Sequence, residues 1–132
     1  ISNMMLYKKN IYLIDNQDAV YGNIAYDLAS LIDDVRVKTT LEQKKKIYDK
    51  YVKEKKALDI SKFKNDFEIL SVLRNIKIIG IFTRLSVRDK KKKYLKLIPR
   101  AWNLIEYRIK KNYKFKDLKI ILDKYFPKKI RQ

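Results

Sequence analysis

The stretch that decides the fold is IYLIDNQDAVYGNIAYDLASL, which runs from Ile11 to Leu31. Its first four residues are apolar and lead directly to an acid, Asp15. A second acid, Asp27, falls within the apolar stripe of what reads as a helix. A buried carboxylate without hydrogen-bond donors is costly, so acids at these positions need an explanation.

Two short apolar runs around this point predict an antiparallel hairpin. Met4 to Tyr7 and Ile11 to Ile14 are rich in β-forming residues and are separated by three polar ones. Because neither run alternates cleanly, we predict that both strands are largely buried. If the hairpin folds about Lys9, the numbers of directly opposed residues sum to about 18.

That register sets Asn3 opposite Asp15. Directly opposed residues have Cβ atoms roughly 5 Å apart, so an amide oxygen and a carboxylate can share one ion there. Mg²⁺ prefers such oxygen ligands and takes only one or two from the protein. The alternative is that Asp15 simply ends a strand and begins an Asx-type turn.

After a loop at 16–23, helical periodicity predicts five helices and an α+β fold that is mostly α. Gly80, inside the third helix, suggests close packing against a neighbour.

We expect a single partial domain, 1–132, with a metal-binding hairpin and loop at 1–23 and a helical subdomain at 24–132. The expected helices are one from Ile24 to Val35, one opened by Thr39 with Glu42 completing a capping box, one from Asp59 or Ser61 toward Leu85, one with Pro99 in its first turn, and one from Leu118 to Tyr125.

Asp27 has two possible settings near the start of the first helix. It could be buried and accept hydrogen bonds from the backbone of a nearby loop. It could instead face solvent and interact favourably with the positive end of the helix dipole.

Composition limits the chemistry that is open to the chain. There are no histidines and no cysteines, so imidazole bases, thiolate metal sites and disulfides are excluded within these residues. No apolar run reaches the roughly 20 residues of a membrane span, and we expect a cytoplasmic protein. The net charge of +18 raises the possibility of nucleic-acid binding, but residues 1–34 are net acidic. Lysine-rich composition is also typical of AT-rich coding DNA.

Three segments resemble one family. They are NMMLYKKNIYLIDNQDAVYGNIAYDLASL at 3–31, LRNIKIIGIFTRLSVRDKKKKYLKLIPRAWNLIE at 73–106 and LKIILDKYFP at 118–127. Together they resemble the aminoglycoside phosphotransferase and choline kinase-like family, which has a protein-kinase-like fold. The likeness is greatest to the branch that phosphorylates N-acetylmuramate and N-acetylglucosamine at the anomeric position.

The resemblance implies the C-terminal lobe of a kinase that transfers the γ-phosphoryl of ATP to a sugar hydroxyl with Mg²⁺. It implies that Asn3 and Asp15 hold the metal and that Asp27 braces the catalytic loop. The catalytic Asp of the family pattern would stand five residues before Asn3, upstream of Ile1, so we expect the 132 residues alone to be inactive.

Other positions match the family pattern less well. Asn16 and Asn23 stand where the branch usually has Phe and Pro, and Leu73 and Asn75 replace a frequent Gln and His. These departures leave the substrate contacts open.

Three arginines, Arg74, Arg84 and Arg88, are weak candidates for substrate recognition. The alternative for each is a surface or inter-helix ion pair. Two other functions also stay open: a basic helical module that binds nucleic acid, although no RNA-binding motif is present, and a pseudokinase-like scaffold. The kinase interpretation implies nucleotide and sugar as partners, with nucleic acid unlikely and no membrane association.

Overall fold

The computed structural model describes residues 4–14 and 20–131, and in these ranges the chain is mostly helical, as predicted. One two-stranded antiparallel hairpin precedes five α-helices. No helix in the described ranges is long and apolar enough to cross a bilayer. The elements are β1 (Met4–Tyr7), β2 (Asn10–Leu13), α1 (Ala25–Ile32), α2 (Leu41–Glu54), α3 (Ile60–Val87), α4 (Ile98–Ile109) and α5 (Lys116–Tyr125), with short 3₁₀ helices at Lys92–Leu97, Tyr113–Phe115 and Lys128–Ile130.

The hairpin forms where it was predicted, but its predicted register is wrong by one residue. Met4 pairs with Leu13 and Tyr7 with Asn10, so the numbers of paired residues sum to 17. Lys8 and Lys9 make the turn, and both have positive φ, at 45° and 66°. A two-residue turn with positive φ at both positions matches the right-handed twist of the strands, whereas one with negative φ at both would splay them. A shift of one residue changes which side chains share a face.

The prediction that both strands are buried is also wrong. All eight strand residues are exposed, including Leu6 and Leu13, whose side chains are 73% and 71% accessible. A strand with apolar residues on both faces is buried only if other elements of the fold cover both faces of its sheet. In the described residues this hairpin has no second layer, and a two-stranded ribbon alone is at best marginally stable.

Helix α2 begins one residue later than predicted, with Thr40 rather than Thr39 as its N-cap. The Thr40 hydroxyl accepts from the Gln43 backbone N–H at 3.1 Å, and the Gln43 side chain accepts from the Thr40 N–H at 2.8 Å. This is a complete capping box. Thr39 instead donates its hydroxyl to the Ile32 carbonyl at 3.3 Å, which holds the connection from α1.

We expect Thr40→Ala to lower the free energy of unfolding by about 1 kcal/mol, because the Gln43 backbone N–H at the start of α2 loses the hydroxyl that accepts from it. Urea denaturation of the full-length protein measures the change. The matched control is Thr39→Ala, which removes a hydroxyl that does not cap α2. It should cost less, because the Ile32 carbonyl that loses this 3.3 Å hydrogen bond still accepts from Lys44 Nζ. Equal losses in both variants would contradict this account.

Helix α3 spans 28 residues and forms the centre of the helical subdomain. Of the two predicted starts, Asp59 rather than Ser61 caps its N-terminus, by accepting from the Lys62 N–H at 2.9 Å. One face packs on α1 and α2 through Phe63 and Phe67, and the next part packs on α4 through Val72. The expectation for Gly80 is wrong, since nothing lies within 4 Å of where its Cβ would be.

Helices α4 and α5 close the far side of α3, with Pro99 in the first turn of α4 as predicted. Trp102, Ile105 and Ile109 on α4 pack with Leu122 of α5 in one buried cluster. Arg131 holds the end of the described chain to this unit. Its guanidinium donates to the carboxylates of Glu106 and Asp123 at 2.9 and 2.7 Å and lies over the indole of Trp102.

Candidate functional site

The start of α1 is fixed by Asn23, the residue that stands where the family pattern has Pro. Its Oδ1 accepts from the Ala25 backbone N–H at 3.0 Å, and its Nδ2 donates to Asp66 Oδ2 on α3 at 2.8 Å. The Asn side chain therefore both begins the helix and ties it to α3. A Pro in this place could fix the backbone angle but could provide neither hydrogen bond.

Asp27 lies in the first turn of α1 and is exposed. Of the two settings considered, the described structure has the solvent-facing one, where the carboxylate interacts favourably with the helix N-terminus. Within residues 4–14 and 20–131 it has no side-chain hydrogen bond. It lines an open depression of about 650 Å³, whose wall is formed by residues 20–24, Tyr26 and Asp27 together with Leu70 of α3.

The two predicted metal ligands, Asn3 and Asp15, lie outside the described residues. The register from which their pairing was predicted does not hold in the described strands, so that geometric argument for the pair is lost. No group of three or more acids that could hold a metal occurs in the described part of the chain. The proposed metal site therefore depends on the sequence resemblance and on the suitability of amide and carboxylate oxygens for Mg²⁺.

The three arginines lie on α3 or directly after it, and they do not form one site. Arg74 is half-buried, and its Nη1 donates to the Asp33 carbonyl at 3.4 Å. Burial lowers the pKa of Arg74, against the attraction of Asp34. Arg84 is exposed, and Arg88 pairs with its neighbour Asp89 at 2.6 Å. Ten residues of helix, about 15 Å, separate Arg74 from Arg84.

The most connected polar group is Asp33, directly after α1, which is fully buried. Its Oδ1 accepts from Lys44 Nζ at 2.6 Å, and its Oδ2 accepts from Ser71 Oγ at 2.5 Å and from Arg108 Nη2 at 2.9 Å. Lys44 Nζ also donates to the Ile32 carbonyl at 2.6 Å. One carboxylate thus connects the end of α1 to α2, α3 and α4.

The surroundings of Asp33 keep it ionised. Burial alone would raise the pKa of its carboxyl group, but the positive charge of Arg108 and the hydrogen bonds from Lys44 and Ser71 outweigh burial, so the pKa lies below its ordinary value. A carboxylate with three donors is the arrangement that makes a buried charge tolerable.

The next acid, Asp34, orders the turn that follows. Its two oxygens accept from Arg36 Nε at 3.0 Å and Nη2 at 2.7 Å, and Oδ1 also accepts from the Arg36 backbone N–H at 2.8 Å. Arg100 on α4 donates to the Val37 carbonyl in the same segment. The connection between α1 and α2 is therefore held by side chains from α2, α3 and α4 as well as by its own.

A cavity of about 500 Å³ adjoins the Asp33 cluster between α2, α3 and α4, and we call it the α2–α4 cavity. Lys44 and Arg108 form part of its wall, beside Tyr48 of α2 and Phe67 of α3. Its remaining lining comes from Ile32, Leu41, Lys45, Lys64, Glu68, Tyr107 and Lys111.

Sequence reasoning did not identify the Asp33 cluster or this cavity. In the sequence, Asp33 and Asp34 are two of the acids that make residues 1–34 net acidic. The sequence does contain one sign of it, which is a pair of acids immediately after the apolar stripe of a helix. Acids are unfavourable at a helix C-terminus, where neutral or basic residues are expected. That signal indicates neither the donor from α3 nor the donor from α4.

Comparison with known proteins gives consistent relatives, although no family model matches the sequence. The chain is 33% identical over 120 residues to an N-acetylmuramate/N-acetylglucosamine kinase of Caulobacter vibrioides, which covers 91% of this chain and 33% of the relative. It is 34% identical over 119 residues to the Neisseria meningitidis protein of the same name, covering 86% of this chain and 35% of the relative. The chain thus spans about a third of the length of these relatives, and what it is similar to is one part of an N-acetylmuramate/N-acetylglucosamine kinase.

Proposed function

We propose that this chain is the C-terminal part of a small-molecule kinase that transfers the γ-phosphoryl of ATP to a hydroxyl of an N-acetylated amino sugar. The observation that carries the proposal is the similarity to sugar kinases, which covers 91% and 86% of the chain in two relatives. The structure has one hairpin followed by five α-helices, which is the mostly helical architecture that the resemblance implies.

In this proposal Asn3 and Asp15 would hold Mg²⁺. The ion would neutralise charge on the nucleotide phosphates, and the protein would contribute mainly positioning. A carboxylate and an amide oxygen fit the preference of Mg²⁺ for a few hard oxygen ligands completed by water and phosphate.

Asp27 would support the catalytic loop from the N-terminus of α1. The carboxylate is exposed beside the open depression and has no hydrogen bond within the described residues, so it can accept from backbone N–H groups of a segment placed there. The apolar hairpin is exposed in the same way. An apolar ribbon of this kind fits a position against the remainder of a larger kinase better than a position in water.

The helices from α2 onward would form the wall of the acceptor pocket. Of the three arginines considered, Arg74 has the best setting for polar recognition, because it is half-buried and adjoins the ordered turn after α1. Arg88 is already paired with Asp89 on the surface, so its contribution to substrate binding would be small.

The test is phosphotransfer by the full-length protein with Mg-ATP and a panel of acceptors. We expect N-acetylglucosamine and N-acetylmuramate to be phosphorylated at the anomeric hydroxyl, with choline and kanamycin as negative controls. Phosphorus NMR of the product distinguishes an anomeric phosphate from other esters. Residues 1–132 alone should give no product. Activity of that fragment equal to that of the full-length protein, or transfer only to choline or kanamycin, would contradict the proposal.

A further inference from the structure

The α2–α4 cavity carries a surplus of positive charge. Five basic side chains line it, Lys44, Lys45, Lys64, Arg108 and Lys111, against one acid, Glu68. Two of the cations, Lys44 and Arg108, share the single carboxylate of Asp33 although they are only 10% and 14% exposed. Cations removed from water need compensating charge, and one carboxylate does not balance two of them.

The one acid in the lining does not balance the surplus. Glu68 Oε2 accepts from the Asn112 side chain at 2.7 Å. In residues 4–14 and 20–131 no basic side chain forms an ion pair with it. Lys111, at the rim, donates to the hydroxyl of Tyr107 and lies over its ring.

Two donors in the wall have no partner. Arg108 Nε and the Tyr48 hydroxyl are buried, and neither has a hydrogen-bond partner among the described residues. Burial and the nearby charges of Glu68 and Asp49 raise the pKa of Tyr48, so its hydroxyl is protonated at neutral pH and can donate. Buried polar atoms are rarely left unsatisfied, and those in a native protein call for a ligand, an ion or a water.

The cavity has the size and the lining of a small-molecule site. A volume of about 500 Å³ lies within the usual range for ligand pockets, and aromatic and aliphatic side chains of Ile32, Leu41 and Phe67 accompany the donors. A guanidinium with a free Nε–H, several ammonium groups and a phenol donor suit a dianion with several acceptor oxygens.

We propose that the α2–α4 cavity binds a small molecule that carries a phosphate group. Arg108 Nε and the Tyr48 hydroxyl are closed to solvent in the empty cavity, so binding requires both side chains to turn toward it. Both then donate to the phosphate oxygens, and Lys45 and Lys64 contribute charge from the mouth of the cavity. Its lining does not include the residues proposed to bind Mg²⁺, and the proposal does not depend on kinase activity.

The experiment is titration calorimetry of the full-length protein with inorganic pyrophosphate and with glucose 1-phosphate. The buffer contains EDTA and about 0.15 M salt, which removes Mg²⁺ and screens exposed charges beyond roughly 8 Å. We expect saturable binding of at least one probe and none of glucose. Tighter binding of the sugar phosphate would indicate an organic ester as the occupant, and tighter binding of pyrophosphate a polyphosphate.

Variants on two helices locate the binding. We expect Lys45→Gln with Lys64→Gln to weaken binding about tenfold, since two charge-assisted contacts are lost. The matched control, Lys46→Gln with Lys62→Gln, makes the same charge change at exposed neighbours on the same helices that do not line the cavity. It should retain affinity within about twofold.

Tyr48→Phe separates a ligand-binding role from a structural one. It should weaken binding about tenfold by removing a donor to a charged group. The melting temperature without ligand should be unchanged or higher, because an unsatisfied buried hydroxyl is removed. A lower melting temperature with unchanged binding would contradict the proposal. So would equal weakening in the control pair, which indicates non-specific attraction, or no binding of either probe.

Discussion

Replacing Asp15 by Ala in the full-length protein should lower the rate of phosphotransfer by on the order of 10³-fold at saturating Mg²⁺. Catalysis of this kind depends on neutralising the phosphate charges in place, and the proposed ligand pair has only one carboxylate. The measurement is kcat with N-acetylglucosamine as acceptor. Asn3→Ala should also lower kcat, by a smaller factor, because an amide oxygen holds a cation less strongly than a carboxylate does.

The control for Asp15→Ala is Asp49→Ala, which removes an exposed acid from the outer side of α2. It should leave kcat within about twofold, as expected for an isolated surface charge. A loss smaller than about threefold in Asp15→Ala would count against a metal role for this residue, given the size of typical losses at such sites. Intact circular dichroism and an unchanged melting temperature must accompany any loss before it is assigned to chemistry.

Asp33→Asn should lower the free energy of unfolding of the full-length protein by about 3–5 kcal/mol at neutral pH, because it leaves Lys44 and Arg108 without a counter-charge in a buried site. The substitution keeps the shape of the side chain, so a packing defect does not explain the loss. Urea denaturation measures the change. The matched control is Asp89→Asn, the same chemical change in the exposed pair with Arg88, where we expect little effect.

The effect of Asp33 should depend on pH in one direction. Because its folded-state pKa lies below the ordinary value of 3.8, its contribution is complete above that value and is lost as the pH falls through the folded-state pKa. The difference in stability between wild type and Asp33→Asn should therefore be constant from neutral pH to about pH 5 and shrink below pH 4. A difference that stays constant down to about pH 2 would contradict the buried ion cluster.

Local pattern predicted most element positions. Helical periodicity, a helix start near Asp59 or Ser61 and Pro99 in a first turn all depend on a few neighbouring residues, so they can be read from the sequence. In the structure Asp59 is the cap and Pro99 lies in the first turn of α4. Thr39 and Thr40 are adjacent and chemically identical, and which of them caps α2 depends on where the chain leaves Asp34 and Arg36. The hairpin was placed correctly, but its turn and its burial were not, since both depend on what lies beside the strands.

The two acids Asp27 and Asp33 show the limit of sequence reasoning. Both lie on or next to α1, and the apolar pattern favoured Asp27 as the unusual one. In the structure Asp27 is exposed and Asp33 is fully buried. The difference comes from Ser71 and Arg108, which reach Asp33 from 38 and 75 residues away in sequence.

The sequence by itself determined that the chain is helical, where its helices lie, that it is strongly basic, and which sugar kinases it resembles. Only the tertiary structure decided which carboxylate is buried, which cations surround it, and that two of these cations also line a cavity. The physical reason is the separation along the chain over which each kind of interaction acts. Helix formation depends on contacts within one or two turns, whereas burial and charge pairing depend on elements that the chain brings together from distant positions.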